Sequence, residues 1–464
     1  MSRWTAAQLE AIGERNKNLL VAAAAGAGKT SVLVERIMQR ITDPDDPLEL
    51  DQLLVVTFTN AAASQMRQRI GAALTARLCA HPGAKTRRQL LLLNMASINT
   101  LHASCLDLVR SHHYRLGLDP SFRVAGEDEA ALVRENILDE LLEKRYDEGD
   151  PLFLALSDDY GGEKGDASLA ELVLRLWDFA RSHPDPAAWL DGATAAFAAP
   201  VAGLDDLVWS GSIREAVRLA VETAHQLVTQ ALEGAGAPGG PAVYAPVLAR
   251  DLDMTGDLRR WLDGPWESLR EAFGKVVWAR LPACREKDEG MVARVRGLRE
   301  RAKEILKEVR ERFMAREPGE ILTDLRKLAP FVGRLTALVR EFDSAYQEVK
   351  LARGLVDFGD LEHFALRLLT GPGGDPSPLA LALRERYAEG LVDEYQDINP
   401  VQETILCMVS RGDNLFLVGD VKQSIYRFRL AEPCLFLEKY RRFPSGPGGG
   451  ERRIHLTENF RSRP

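Results

Sequence analysis

The stretch NLLVAAAAGAGKT, residues 18–30, joins an apolar segment to a glycine-rich one, and helical periodicity follows it through Arg40. This order predicts a strand, a tight turn and a helix, which is the context of a phosphate-binding loop. In such a loop, successive backbone N–H groups and the helix N-terminus form a positive cradle for phosphates. The predicted cradle residues are Ala23, Ala24, Ala25, Gly26, Ala27 and Gly28.

Two polar residues close this loop. Lys29 is predicted to reach the β- and γ-phosphates of ATP, and Thr30 to place its hydroxyl on Mg²⁺. Ala23 stands where the generic pattern has its first glycine, so the match is imperfect. The alternative is a glycine-rich helix start that binds no ligand.

A second motif, LVDEYQD over residues 391–397, places acidic residues at the end of an apolar strand. Asp393 is predicted to hold Mg²⁺, and Glu394 to act as the base that orients and deprotonates the attacking water. A short acidic cluster can also be a solvated turn. The phosphate-binding loop earlier in the chain favours the catalytic interpretation.

The order of helical and strand periodicities predicts the architecture. Residues 1–110 and the region from about 385 alternate strands with helices, which is typical of a parallel sheet, whereas long amphipathic helices fill the segment between them. We expect an α/β fold whose parallel sheet carries a large inserted all-α domain. The predicted boundaries are 1–110 and 351–450 for the α/β domain, 111–350 for the insertion, and 451–464 for the start of a second, truncated domain.

Composition narrows the class of protein. The 464 residues carry a net charge of −8, which counts mildly against a small nucleic-acid-binding module, although a large motor can hold a local basic groove. The five cysteines are scattered and form no CxxC pair, which favours a reducing cytoplasm over a disulfide or cysteine-metal framework. No long apolar run or secretory signal pattern is present, so we expect no membrane association.

Taken with the two motifs, further segments resemble the UvrD/RecB-type branch of superfamily 1 DNA helicases. WTAAQ ends on Gln8, which in this resemblance reads the adenine edge. VVTFTNAAASQM (residues 55–66) and INTLHASC (residues 98–105) resemble DNA-contacting motifs. The resemblance implies a RecA-like ATPase domain and DNA contacts by Phe58, Thr59, Asn60, Thr100 and His102.

Three later segments, which start at Asp357, Val418 and Leu456, resemble the remaining motifs in the family's order. In VGDVKQSIYRFRLAEP, the resemblance implies that Gln423 senses the γ-phosphate and that Tyr426, Phe428 and Arg429 contact DNA. In LTENFRS, it implies that Arg461 is an arginine finger. Phe460 either stacks on adenine or packs in the core.

GDVKQSIYRFRLAEP and DEYQDINPVQE resemble more narrowly the AddA family, the helicase–nuclease components of AddAB recombination complexes. This likeness implies single-stranded and duplex DNA as substrates and a heterodimer with an AddB-like nuclease partner. Phe428 and Phe460 stand where UvrD-type enzymes commonly have Trp and Tyr. Residues 115–340 resemble the family only in their general character, without a matching motif. We expect the nuclease domain to be absent from these 464 residues.

Three alternatives stay open. A stand-alone UvrD-type repair helicase would share every motif. A P-loop phosphotransferase acting on a small molecule would leave TFTN and GDVKQSIYRFR without a role. A fragment could bind ATP and DNA without efficient turnover.

Overall fold

The computed structural model describes residues 4–162, 165–284, 288–424, 430–446 and 448–460. The chain divides into two compact units. The sheet unit comprises Met1–Leu190 and Ala337–Pro464, and the helical unit comprises Asp191–Thr336.

A six-stranded parallel sheet is the centre of the sheet unit, with the strand order β3-β2-β6-β7-β1-β8. A separate parallel pair joins β4 to β5. In the described part of the chain the strands are β1 (Asn18–Ala23), β2 (Leu53–Thr57), β3 (Ser97–Thr100), β4 (Arg123–Val124), β5 (Leu355–Val356), β6 (Glu389–Val392), β7 (Leu415–Gly419) and β8 (Glu451–Leu456).

The apolar runs in the sequence form the central strands because both faces of the sheet are covered by helices. Every residue of β2, β6 and β7 is buried. β8 instead alternates half-buried and buried residues at the edge of the sheet. There Arg452 pairs with Glu10 and Glu14 of the first helix and its cap, which ties this edge to the N-terminal segment.

Helices pack on both faces of the sheet. One core joins Leu20, Val56 and Leu417 to the helices that follow β3, β5 and β6, and the other joins Leu19, Val55 and Phe416 to the first three helices. Within the described residues the helices of the sheet unit are α1 (Ala6–Gly13), α2 (Lys29–Thr42), α3 (Asn60–Ala80), α4 (Ala84–Leu92), α5 (Leu101–Leu116), α6 (Glu127–Glu148), α7 (Pro151–Tyr160), α8 (Ala167–Arg181), α9 (Pro186–Ala198), which ends in the helical unit, and α15 (Phe358–Leu369), α16 (Pro378–Arg386), α17 (Pro400–Val409) and α18 (Pro433–Arg442).

The helical unit is built around one long helix that packs against two others. Small and β-branched residues of this helix, among them Val217, Val221 and Ala224, are fully buried. A buried ion pair between Arg299 and Asp251, 2.6 Å long, links its two partners. The helices are α10 (Ser210–Gly236), α11 (Ala245–Arg260), α12 (Trp266–Gly274), α13 (Glu289–Val309) and α14 (Pro318–Ala352), the last of which returns to the sheet unit.

The predicted fold class is confirmed: a P-loop-type parallel sheet is combined with a large all-α insertion. The predicted domain boundaries stay a prediction. The helical unit spans 191–336 rather than 111–350, and β8 pairs with β1 in the same sheet. Among the described residues, no helix combines the length and apolarity that a membrane span requires.

A buried cluster of charges holds the place where the chain re-enters the sheet unit. Lys350 of α14 donates to Asp357 at 2.8 Å and to Asp360 at 2.5 Å, and Arg181 of α8 donates to Asp360 at 2.9 Å. Asp357 also caps α15, where its side chain accepts from the Asp360 N–H. Burial by itself would raise the pKa of Asp357, but the Lys350 and Arg181 charges outweigh it and lower the pKa to about 2.

We predict that Asp357→Asn destabilises the protein at neutral pH, since asparagine keeps the cap but removes the charge that Lys350 needs. A carboxyl group with a lowered folded-state pKa stabilises the fold above its unfolded pKa, and this contribution is lost as the pH falls toward 2. The expected loss in unfolding free energy at pH 7 is on the order of 2 kcal/mol, and it should shrink between pH 4 and pH 2.

Urea unfolding across this pH range measures the effect. Glu129→Gln is the matched control, because it removes a carboxylate from an exposed pair with Arg123 and should change stability little. A pH-independent difference between Asp357→Asn and the wild type would contradict the assigned role of the charge.

Candidate nucleotide site and the adjoining strand ends

The carboxyl ends of the parallel strands meet at one edge of the sheet, where ligands bind in open α/β folds. The glycine-rich loop follows β1, and Phe58 follows β2. Thr100 ends β3, and Asp393 and Asp420 follow β6 and β7. The fold therefore brings the predicted nucleotide-binding and DNA-facing segments to the same edge.

The glycine-rich loop adopts the conformation that the sequence predicts. Gly26 and Gly28 have φ angles of 78° and 83°, in the left-handed region that favours glycine. Gly28 is also crowded, because a Cβ there would lie 3.2 Å from the Gln8 Nε2 atom. As the N-cap of α2 it supplies no side-chain acceptor, so the first N–H groups of α2 remain available to an anion.

Two more distant segments contact this loop. The Gln8 Nε2 atom donates to the Ala27 carbonyl at 3.1 Å, while its Oε1 atom accepts from the Thr5 N–H in a capping box. On the other side, the Phe460 N–H donates to the Gly26 carbonyl at 3.0 Å, and the Phe460 side chain is 58% exposed. Both residues thus lie beside the loop, and their contact with adenine stays a prediction.

Lys29 and Glu394, which are 365 residues apart in the chain, form an ion pair of 2.7 Å. This pair joins the glycine-rich loop to the end of β6. Asp393 lies next to it and accepts from the Glu394 N–H at 3.1 Å. Burial and the Glu394 charge raise the pKa of Asp393 to about 6. The same two causes raise the pKa of Asp397 to about 6.

Glu394 has a strained backbone, with φ 52° and ψ 45°. Residues other than glycine and asparagine rarely adopt this left-handed backbone conformation, and such strain is concentrated at functional sites. Glu394 is the cap of the short turn Tyr395–Asp397, and its carboxylate pairs with Lys29 from this position.

Sequence reasoning missed a chain of hydrogen bonds that extends from this pair. The buried Gln396 donates through Nε2 to Glu394 Oε2 at 2.9 Å and accepts through Oε1 from the Asp420 N–H at 2.9 Å. Asp420 in turn accepts from the Gln423 Nε2 atom at 2.7 Å. The sequence marked Gln423 as a sensor, but it carries no signal that Gln396 bridges two motifs.

The predicted DNA-facing residues cluster at the ends of β2 and β3. Thr59 caps α3 and Thr100 caps α5, and the Thr100 hydroxyl lies 3.4 Å from the Asn60 side-chain oxygen. His102 contacts the buried Glu362 at 2.9 Å and packs edge-on against Phe358. These contacts fix α5 and α15 next to each other.

Glu362 is a second residue that the sequence did not single out. Burial opposes its ionisation, but hydrogen bonds from His102, Gln402 and Asn399 outweigh this effect and lower the pKa of Glu362 below its usual range. Only the three-dimensional packing of α5, α15 and α17 brings these groups together. Glu362 therefore orients His102 next to the carboxyl end of β3.

A cavity of about 130 Å³ is lined by residues of both sets. Asp393, Glu394 and Asp397 line it from the nucleotide side. Phe58, Thr100 and His102 line it from the predicted DNA side. The remaining lining residues are Val56, Thr57, Leu101, Val392, Ile398, Asn399 and Gln402.

The residues fit Mg²⁺ and ATP. Two left-handed glycines and an uncapped helix N-terminus offer N–H groups to phosphates, and the half-buried Thr30 follows them. Carboxylate and hydroxyl oxygens are suitable Mg²⁺ ligands. A cation would offset the Glu394 charge, which adds to burial in raising the pKa of Asp393. The predicted residues Tyr426, Phe428, Arg429 and Arg461 lie outside the described residues.

Comparison with known proteins agrees with this geometry. The family model of the UvrD/REP helicase N-terminal domain matches residues 4–444. The chain belongs to this helicase family. The match includes the glycine-rich loop, the acidic motif, the strand edge and the inserted helices.

Curated relatives identify the narrower group, the A subunits of ATP-dependent helicase/nucleases. The chain is 52% identical to this protein from Desulforudis audaxviator and 50% identical to that from Pelotomaculum thermopropionicum, over 99% of its own length. It is 44% identical to the protein of the same name from Bacillus cytotoxicus. The sequence-based resemblance to AddA is thereby confirmed. The chain spans 37–39% of the length of these relatives.

We predict that Glu394→Gln tightens ATP binding by about two- to tenfold, because Lys29 no longer has to leave a carboxylate to reach the phosphates. Hydrolysis should fall at least about 100-fold, since the predicted general base is lost. Titration with a fluorescent ATP analogue and a phosphate-release assay measure the two effects. Glu403→Gln removes an equally short pair with Lys439 and should change neither. Unchanged or weaker nucleotide binding by Glu394→Gln would contradict the competition.

Proposed function

We propose that this chain is the ATPase motor portion of an ATP-dependent DNA helicase that translocates on single-stranded DNA. One observation carries the proposal. At the carboxyl ends of the strands, a single cavity is lined both by the acidic residues of the candidate nucleotide site and by the predicted DNA-facing residues. A motor needs such a connection because hydrolysis at one site has to alter contacts at the other.

The nucleotide chemistry follows from the residues around the glycine-rich loop. Backbone N–H groups of Ala25, Gly26 and Gly28 and the N-terminus of α2 bind the phosphates. Ala23, Ala24 and Ala27 belong to the same loop, with the Ala24 and Ala27 N–H groups bonded to carbonyls, and Gln8 and Phe460 lie beside it. Thr30 and Asp393 would hold Mg²⁺, which would neutralise phosphate charge when bound. Lys29 exchanges its bond to Glu394 for the β- and γ-phosphates. Glu394 then accepts a proton from the water whose oxygen bonds to the γ-phosphorus, while the bond from the γ-phosphorus to the bridging oxygen breaks and ADP leaves. Gln423 and Arg461 complete the set at the γ-phosphate.

The DNA contacts follow from the ends of β2 and β3. Phe58 offers a ring face to a base, and Thr59, Asn60, Thr100 and His102 offer polar groups to the backbone. Stacking tolerates every base, which suits a motor that moves along any sequence. Tyr426, Phe428 and Arg429 extend this surface in the proposal. The strand is recognised by its backbone and by stacking, not by its sequence.

The relatives' printed name supports a role as the AddA component of a helicase–nuclease. In this proposal the protein acts in double-strand break processing and recombinational repair with an AddB-like partner. Residues 1–110 and 351–450 form the first RecA-like domain, 111–350 the insertion, and 451–464 the start of a second domain. A cytoplasmic location fits five cysteines that form no disulfide. Co-purification with a large AddB-like protein would separate this role from that of a stand-alone repair helicase.

We predict that Lys29→Ala abolishes ATP hydrolysis stimulated by single-stranded DNA, because the charge at the β- and γ-phosphates is lost. Single-stranded DNA binding should change less than about threefold, since Lys29 lies on the nucleotide side. Steady-state phosphate release by the full-length gene product, with and without an oligonucleotide, measures this. Lys85→Ala is the control, because the Lys85 ammonium donates to the Asp43 carbonyl on the exposed surface. Wild-type hydrolysis that single-stranded DNA does not stimulate would refute the helicase proposal.

A separate prediction concerns Phe58. Phe58→Ala should weaken binding of single-stranded DNA about 5- to 100-fold, the loss expected for one stacked base, while ATP binding stays within about threefold. Fluorescence anisotropy with a labelled oligonucleotide measures the DNA affinity. Tyr160→Ala removes an exposed ring at the end of α7 and serves as the matched control. Equal DNA affinity of Phe58→Ala and the wild type would show that Phe58 is a packing residue.

A further inference from the structure

We infer that Gln396 is a positioning residue that links the proposed base, Glu394, to the segment that carries the proposed γ-phosphate sensor, Gln423. This inference rests on the proposed ATPase function and adds a residue to which the motif analysis gave no role. The link consists of three consecutive hydrogen bonds, from Glu394 to Gln396, then to Asp420, and then to Gln423.

The Gln396 amide is held at both ends. Its Nε2 group donates to Glu394 Oε2 at 2.9 Å and to Asp397 Oδ2 at 3.2 Å, and its Oε1 atom accepts from the Asp420 N–H at 2.9 Å. The residue is 1% exposed, so water does not compete for these bonds. An amide is suited to this place because it donates to a carboxylate on one side and accepts from an N–H on the other.

Close packing at the end of β7 supports the assignment. A Cβ at Gly419 would clash with the Gln396 Oε1 atom and would lie 3.1 Å from the Phe436 ring. A larger residue at position 419 would therefore displace the amide. Glycine at this strand end permits Gln396 to reach the Asp420 N–H directly.

The bridging bond acquires its role when Lys29 leaves Glu394. In the present arrangement Glu394 Oε2 receives two donors, the Lys29 ammonium at 2.7 Å and the Gln396 amide at 2.9 Å. Once Lys29 binds phosphate, Gln396 is the donor that keeps the carboxylate in place. A charge-assisted hydrogen bond of this kind is about twice as strong as a neutral one.

The other end of the link responds to the γ-phosphate. Gln423 donates to Asp420 Oδ2 at 2.7 Å, so it has to give up this bond to contact a phosphate. Asp420 also accepts from the Lys422 N–H, which fixes the turn after β7. Release of Gln423 changes the Asp420 turn, and the Asp420 N–H passes that change to Gln396 and Glu394. Phosphate sensing and base positioning are thereby coupled.

The test uses Gln396→Met in the full-length gene product, because methionine has a similar volume but neither donates nor accepts as an amide does. We expect the single-stranded-DNA-stimulated kcat to fall about 10- to 100-fold, with the affinity for ATP and the thermal midpoint close to the Gln89→Met values. Gln89 is a matched control, since it is equally buried and accepts from the Leu50 N–H far from the strand edge. Gln89→Met should keep the wild-type kcat.

A double-mutant cycle with Gln423→Ala separates a link from two independent effects. If the two residues act through one chain of bonds, the double variant is about as slow as the slower single variant. Two results would overturn the inference: losses of kcat that multiply in the double variant, or a Gln396→Met kcat equal to that of Gln89→Met. Neither result affects the proposed function as long as DNA stimulates hydrolysis by the wild-type protein. Wild-type protein without stimulated hydrolysis would refute the proposed function itself.

Discussion

The structure depends on one constraint, that the central strands of a parallel sheet are covered on both faces. Strands such as β2 and β7 can bury every residue only if helices cross on each side between consecutive strands. Every strand of this sheet then points the same way, and all the loops after the strands collect at one edge. The glycine-rich loop, the acidic motif and the predicted DNA-facing residues are neighbours for this reason, although Lys29 of the loop and Glu394 of the acidic motif are 365 residues apart in the chain.

Charge is unevenly distributed at that edge. Asp393, Glu394 and Asp397 lie close together and have one lysine, Lys29, in an ion pair with the central carboxylate. Burial first, and then the Glu394 charge, raise the pKa of both aspartates. A bound cation would offset the negative charge of these carboxylates, whereas transfer of Lys29 to phosphate would leave more of that charge unpaired. The carboxyl ends of the strands therefore bring together negative charge as well as the predicted motifs.

Local patterns predict most of the framework. The strands over residues 18–23, 53–57 and 97–100 follow from the sequence because apolar runs followed by glycine or by capping residues are local signals. Lys29 and Glu394 are found from their motifs. Gln396, Glu362 and Asp420 are not, because their importance depends on hydrogen bonds between segments that are distant in sequence. The pairing of β8 with β1 escapes prediction for the same reason, since no local pattern specifies the neighbour of an edge strand.

The position of β8 has a mechanical consequence. The Leu456 carbonyl accepts from the Ala24 N–H, and four residues later the Phe460 N–H donates to the Gly26 carbonyl. These two bonds hold the glycine-rich loop against the segment that follows β8. A force that pulls on residue 460 is transmitted to the loop through a path of only a few covalent bonds and one hydrogen bond. Tension in that segment would thus act directly on the glycine-rich loop.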